Sequence, residues 1–277
     1  MPNDKRLSIT FAVVVLASLA AASDAAAYER TMTCGSFGTP PCEEGETPQP
    51  IEWPVRCIKY RLNNDDTPEF PSDGDQLSEE ARSLINQSFQ TWDDPACSDL
   101  QLVEGELTDN DMVEYDGQRG WEGNMNLVVW RDTFWPPSNG ANSIALTSVT
   151  YNVKSAQIAD ADIEINSHTF DFEDLAEPAS GPDAPVDLRN AMTHEVGHFV
   201  GFDHNENPAS TMFASANPGE IKKRTLTSDD IDGMCAVYPA GQPPAECDSP
   251  DDFRPPDNDG SNGSTSDPCT GCCCSSS

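Results

Sequence analysis

The chain has 277 residues, of which 48 are Asp or Glu and 15 are Lys or Arg, so its formal net charge is -33. A surface this acidic repels nucleic acid and anionic bilayers and makes them poor partners. The hydrophobic share of 36%, with five Trp and eleven Phe, still suffices for a core, and the length suits one catalytic-sized domain with tails or at most two small domains.

Residues 1–27 carry Lys5-Arg6, an apolar run from Phe11 to Ala22, and small residues ending at Ala25-Ala26-Ala27. This is the layout of a secretory signal peptide cleaved before Tyr28, so a secreted, extracellular protein is expected, with no membrane span in the mature chain. The run is shorter than the ~20 residues a spanning helix needs. Asp4 and Asp24 balance Lys5 and Arg6, so cleavage leaves the acidity in place.

Residues 28–50 are rich in Gly, Pro, Thr and Glu and read as an irregular leader, with the folded domain spanning 51–239. Val55–Leu62 alternates in part and predicts a strand. Between Leu77 and Trp92, Ala81, Leu84, Ile85, Phe89 and Trp92 fall at helical spacing, with Ser78 as N-cap. Strand-like runs follow at Leu100–Val103, Asn126–Trp130, Ser143–Tyr151 and Gln157–Asn166. Helices are expected over Asp187–Gly201 and Thr227–Tyr238, the latter opening on Thr227 three residues before Asp230, the pattern of a capping box. Residues 240–277 form an acidic low-complexity tail that cannot bury a core and reads as solvated.

Ten cysteines suit an oxidising destination. Six are dispersed (Cys34, Cys42, Cys57, Cys97, Cys235, Cys247), and their pairing is open apart from Cys34 with Cys42 as the local choice. The other four, Cys269, Cys272, Cys273 and Cys274, end the tail, with no His beside them to suggest a metal finger.

The chemistry concentrates in residues 194–204. His194 and His198 are four apart, so one helical face aims both imidazoles at one point. Gly201 can take positive φ, end the helix and turn the chain so that His204 supplies a third ligand. Three protein ligands leave Zn²⁺ an open position for water. Glu195, beside the first ligand, is placed to accept the proton of that water and pass it to the leaving amine. At about 5% per residue type, this five-position match arises by chance in on the order of one chain in ten thousand.

The run from His194 to His204 resembles the H-E-x-x-H-x-x-G-x-x-H signature of the metzincin zinc peptidases. Ser210-Thr211-Met212 is similar to the family's Met-turn, which places Met212 beneath the metal. Leu226–Tyr238 looks like the closing helix of the matrixin branch, and Asp160-Ala161-Asp162-Ile163 resembles the late strand of its bacterial members. The resemblance covers residues 51–239. It implies an α+β metzincin-like catalytic domain, with a five-stranded mixed twisted sheet and three helices. It also implies a monomeric extracellular endopeptidase with one catalytic Zn²⁺ and protein or peptide substrates, an extended substrate pairing with the edge of Ser143–Tyr151. Calcium is a habit of the family, but no converging oxygen loop is identifiable.

The chain also departs from the family pattern. Animal matrixins bind a second zinc through further histidines, whereas only His168 remains here, read as an exposed loop residue. Phe213-Ala214 replaces the usual Tyr-Pro after the methionine, and Ala214 stands where some relatives place a metal-binding Tyr. Cys34-Gly35 lacks the flanking Arg and Asp of the family's latency cysteine. The ending from Cys269 to Ser275 looks like the start of a myxobacterial C-terminal sorting signal, which implies attachment to the cell surface. Two alternatives stand beside the peptidase reading. One is a non-catalytic extracellular binding or adhesion module that keeps fold and zinc. The other is a zinc peptidase with a distant Glu as third ligand, which His204 at the metzincin spacing disfavours.

Overall fold

The computed structural model describes residues 28–241, apart from 37, 73, 75, 114, 116–124 and 182, together with the backbone of 269–276. The signal-peptide reading of 1–27 and most of the tail lie outside the described residues. Five strands form the main sheet: β1 (Cys57–Leu62), β2 (Gln101–Glu104), β3 (Asn126–Trp130), β4 (Ser143–Tyr151) and β5 (Ile158–Ile165). Their order is β2-β1-β3-β5-β4. Only β4 runs antiparallel to its neighbour, with Thr147 opposite Ile163. Three helices complete the expected α+β fold: α1 (Glu79–Asp93), α2 (Leu188–Phe199) and α3 (Ser228–Val237).

Each element follows from its residues. Ser78 accepts a hydrogen bond from Ala81 N and starts α1. The apolar stripe of α1 then buries Ala81, Leu84, Ile85, Phe89 and Trp92. Phe89 stacks on Tyr60 of β1 with ring centroids 3.6 Å apart. Trp92 Nε1 donates to Thr193 O at 2.7 Å, which fastens α1 to α2. In α3, Thr227 and Asp230 form the reciprocal capping box. Two short strands, β6 (Phe172–Glu173) and β7 (Val186–Asp187), pair in parallel and deliver the chain to α2. At two residues each they carry no periodicity for a sequence reading to detect.

The leader is seated on the domain. Thr31 N donates to Gly201 O at 3.1 Å, and Ile51 N donates to Thr31 O at 2.9 Å. Thr31, Thr33 and Cys34 are buried. Disulfides join Cys34 to Cys42 and Cys97 to Cys235, and Cys57 is disulfide-bonded as well.

The tail requires a correction. The stretch Cys269–Ser276, read from composition as solvated, forms β9. It pairs antiparallel with β4 and parallel with β8 (Ser215–Ala216), extending the sheet to seven strands. Composition decides whether a segment can build a side-chain core. Strand pairing needs only backbone N–H and C=O groups and a free edge, and β4 offers that edge.

Candidate metal centre

Helix α2 runs along the core with only Arg189 less than fully buried. Its first turn is capped by Asp187, whose Oδ1 accepts from Asn190 N at 2.8 Å. The same carboxylate takes both nitrogens of a fork from Arg224.

The other end of α2 turns on Gly201, which adopts φ +91°. Gly201 N donates to His198 O and Phe202 N to Gly197 O, both at 2.9 Å. These are the two crossed bonds of a Schellman motif. Remaining carbonyls of the last turn are met from afar. Trp53 Nε1 donates to Phe199 O at 2.8 Å, and Tyr238 Oη donates to Val200 O at 2.9 Å. Asp203 Oδ1 then accepts from His204 N at 2.7 Å and sets the backbone of the third histidine.

The three imidazoles converge. The Nε2 atoms of His194 and His198 are 3.2 Å apart, those of His194 and His204 3.2 Å, and those of His198 and His204 3.1 Å. On the far side of each ring, His194 Nδ1 lies 2.7 Å from Thr211 O and His198 Nδ1 lies 2.8 Å from Phe202 O. A carbonyl can only accept, so each Nδ1 carries the hydrogen and each Nε2 presents a lone pair. Three Nε2 atoms facing one another at this separation match three corners of a tetrahedron with bonds of about 2.0–2.1 Å, the dimensions of a zinc–imidazole site. His194, His198 and His204 are thus a group that could hold a metal ion.

Electrostatics favour the neutral ligands. Burial, the Lys223 ammonium and the neighbouring histidines push His194 well below the ordinary imidazole value. Burial and His204 do the same for His198, and burial with Lys223 brings His204 to about 4. Lys223 is itself almost wholly buried, donates from Nζ to Phe213 O and lies 3.4 Å from His194 Nδ1.

Glu195 is fully buried on the adjoining face. Thr147 of β4 donates its hydroxyl to Glu195 Oε2 at 2.6 Å. Met212 is buried against Gly197, where an added Cβ would sit 2.1 Å from Met212 Sδ and 2.7 Å from Trp92 Cζ2. Only glycine lets the Met-turn approach the helix this closely. The turn is tied down by Asp230, which accepts from Ser210 Oγ at 2.9 Å and from Thr211 N at 3.3 Å.

Thr147, Gly197, Lys223 and Asp230 are the parts of the centre that sequence reasoning missed. Asp230 was legible only as a capping residue. Gly197 stood inside the motif at a position with no stated role, and no local signal marks Thr147 or Lys223. His168 is exposed, with Nδ1 3.2 Å from Asp132 O, and does not join the three histidines. Cys34, Cys42 and Glu46 also lie together, but both sulfurs are spent in a disulfide and offer no thiolate.

The matrixin profile matches residues 52–239, more than half of the chain. The chain belongs to the matrixin family. Metalloendoproteinase 2-MMP of Arabidopsis thaliana is 25% identical over 169 residues, which cover 59% of this chain and 38% of that protein. Matrilysin of Mus musculus is 36% identical over 58 residues, 21% of this chain and 22% of that protein. Neutrophil collagenase of Homo sapiens is 30% identical over 84 residues, 30% of this chain and 18% of that protein. The chain thus spans less than two fifths of the length of these relatives. In this matrixin the sheet and helices bring α2, the turn at Met212 and β4 to a common point.

Proposed function

We propose that this matrixin is a secreted zinc-dependent endopeptidase, with residues 1–27 a cleaved signal peptide and 51–239 the catalytic domain of a monomer. The observation that carries the reading is the convergence of three imidazole Nε2 atoms, 3.1–3.2 Å apart, beside a carboxylate buried on the same helix. His194, His198 and His204 would hold one zinc. Bound there, zinc supplies Lewis acidity for the scissile carbonyl and acidifies a water.

The chain's own groups do the rest. Thr211 and Phe202 carbonyls hold two of the ligands in the tautomer a metal requires. Glu195, oriented by the Thr147 hydroxyl, takes the proton of the attacking water and returns it to the leaving amine. An extended peptide would lie along β4, its backbone pairing with the strand that also orients Glu195. Met212 and Gly201 act at one remove, by supporting the histidines and by turning the chain toward His204.

Hydrolysis of casein by residues 28–277 tests the reading, with wild type and Glu195→Ala run side by side, with and without a zinc chelator, and metal content determined. Chelator-sensitive cleavage that falls at least roughly a hundredfold in the variant, with zinc retained, is the expected result. Full activity in the zinc-loaded variant would remove Glu195 from its role. A zinc-loaded protein that stays inert with both leader and tail removed from the site would overturn the peptidase.

A further inference from the structure

Strand β9 does not add to the sheet at an arbitrary place. On one side it runs antiparallel to β4, with Leu146 opposite Cys273 and Thr147 opposite Cys272. On the other it runs parallel to β8, with Ser215 opposite Ser275 and Ala216 opposite Ser276. Thr147 is the residue that orients Glu195, and β8 begins three residues after Met212. The backbone of the tail therefore occupies the slot between the two segments that flank the histidine centre. Building on the endopeptidase reading, we propose that Cys269–Ser276 is an intramolecular occupant of this slot and closes it to extended peptides.

The physical case rests on backbone pairing and tethering. Any polypeptide that uses the edge of β4 must displace the hydrogen bonds of β9, because one strand edge pairs with one partner. Residues 242–268, rich in Asp, Pro, Gly and Ser, join the tail to the domain and make its return an intramolecular event. Covalent linkage over a few tens of residues gives effective concentrations of up to about the mM range, at or above the KM of ordinary substrates. The pairing also gives residues 269–276 a place in the fold that a surface anchor alone does not require.

The test compares the full chain with the full-length double variant Cys272→Pro/Cys273→Pro. Two adjacent prolines remove the N–H that faces β4 whichever of the two it is. Hydrogen exchange of the β4 amides should quicken at least tenfold in the variant while α2 is unchanged, and kcat/KM on casein should rise about tenfold or more. A serine-for-cysteine peptide of residues 269–276 should inhibit the variant. Unchanged β4 exchange would overturn the docking, and quickened exchange with unchanged kcat/KM would overturn the closure. Zinc-loaded but inert wild type and variant, with quickened β4 exchange, would refute the endopeptidase reading while upholding the docking. Self-cleavage within 269–276, absent in Glu195→Ala, would make the tail a substrate and overturn the blocking role.

Discussion

At the N-terminal end of α2 a single carboxylate does most of the work. Asp187 caps the first turn and holds the Arg224 guanidinium, and it sits at no exposure while Arg224 keeps 18%. At the C-terminal end no one side chain dominates. A left-handed glycine, two crossed backbone bonds, Trp53, Tyr238 and the leader's Thr31 and Arg30 share the last carbonyls. The first end is secured largely by residues near it in sequence plus one ion pair. The second gathers partners from residues 30 to 53 and from 238, so both extremities of the domain must be in place before His204 is aimed. Two of the three histidines lie on the helix itself, and the placing of the third depends on this assembly.

Asp187→Ala should break the comparison at the charged end and have the largest effect. It removes a cap and leaves Arg224 partly uncompensated, at a cost of about 3–5 kcal/mol in urea unfolding at pH 7. Asp187→Asn, which keeps an N-cap acceptor, should recover about 1 kcal/mol of that loss. Equal losses in both would assign the whole effect to the ion pair.

Gly201→Ala comes next. It forces an L side chain to φ +91° and places Cβ 2.8 Å from Ile51 O, so a loss of about 2–3 kcal/mol is expected. Zinc affinity should fall with it, since His204 follows from that turn. An alanine variant with wild-type stability and zinc content would show that the leader and Trp53 alone can hold the turn.

Tyr238→Phe sharpens the same end more gently. It removes the donor to Val200 O and the acceptor of Trp53 N, at about 1–2 kcal/mol in the same unfolding assay. A neutral result would mean that water replaces the hydroxyl.

A further expected effect is a slope with pH rather than an offset at one pH. Burial raises the carboxyl of Asp160 to about 7, and that of its partner Asp162 is raised as well. The native state then binds more protons than the unfolded chain above the unfolded value of 3.8, so stability is fully present below about pH 4 and declines as pH climbs toward 7. Asp160→Asn should flatten that decline, measured by melting between pH 4 and 7.5. A steeper slope in the variant would contradict it.

Much of this architecture was legible in the chain. Ser143–Tyr151 and Asn126–Trp130 are strands over those very residues, because alternation or an apolar run is a local property. Both longer caps, Ser78 and Thr227, were visible for the same reason. The histidine spacing specifies its own geometry, since four residues is one helical turn and Gly201 lets the chain double back. Cys97 with Cys235, by contrast, closes 138 residues, and no local rule selects it among 15 pairings.

The sequence by itself determined the matrixin-like motif, the order of the main strands and helices, and the acidic, cysteine-bearing tail. Each of these is carried by neighbours within about one helical turn or one strand length. Tertiary structure alone decided that Thr147 orients Glu195 across 48 positions, that Lys223 lies under His194, and that Asp230 anchors the Met-turn. It alone decided, too, that residues 269–276 lie along β4. A hydroxyl, an ammonium or a strand edge finds its partner through space, and chain separation leaves no periodic trace of that meeting.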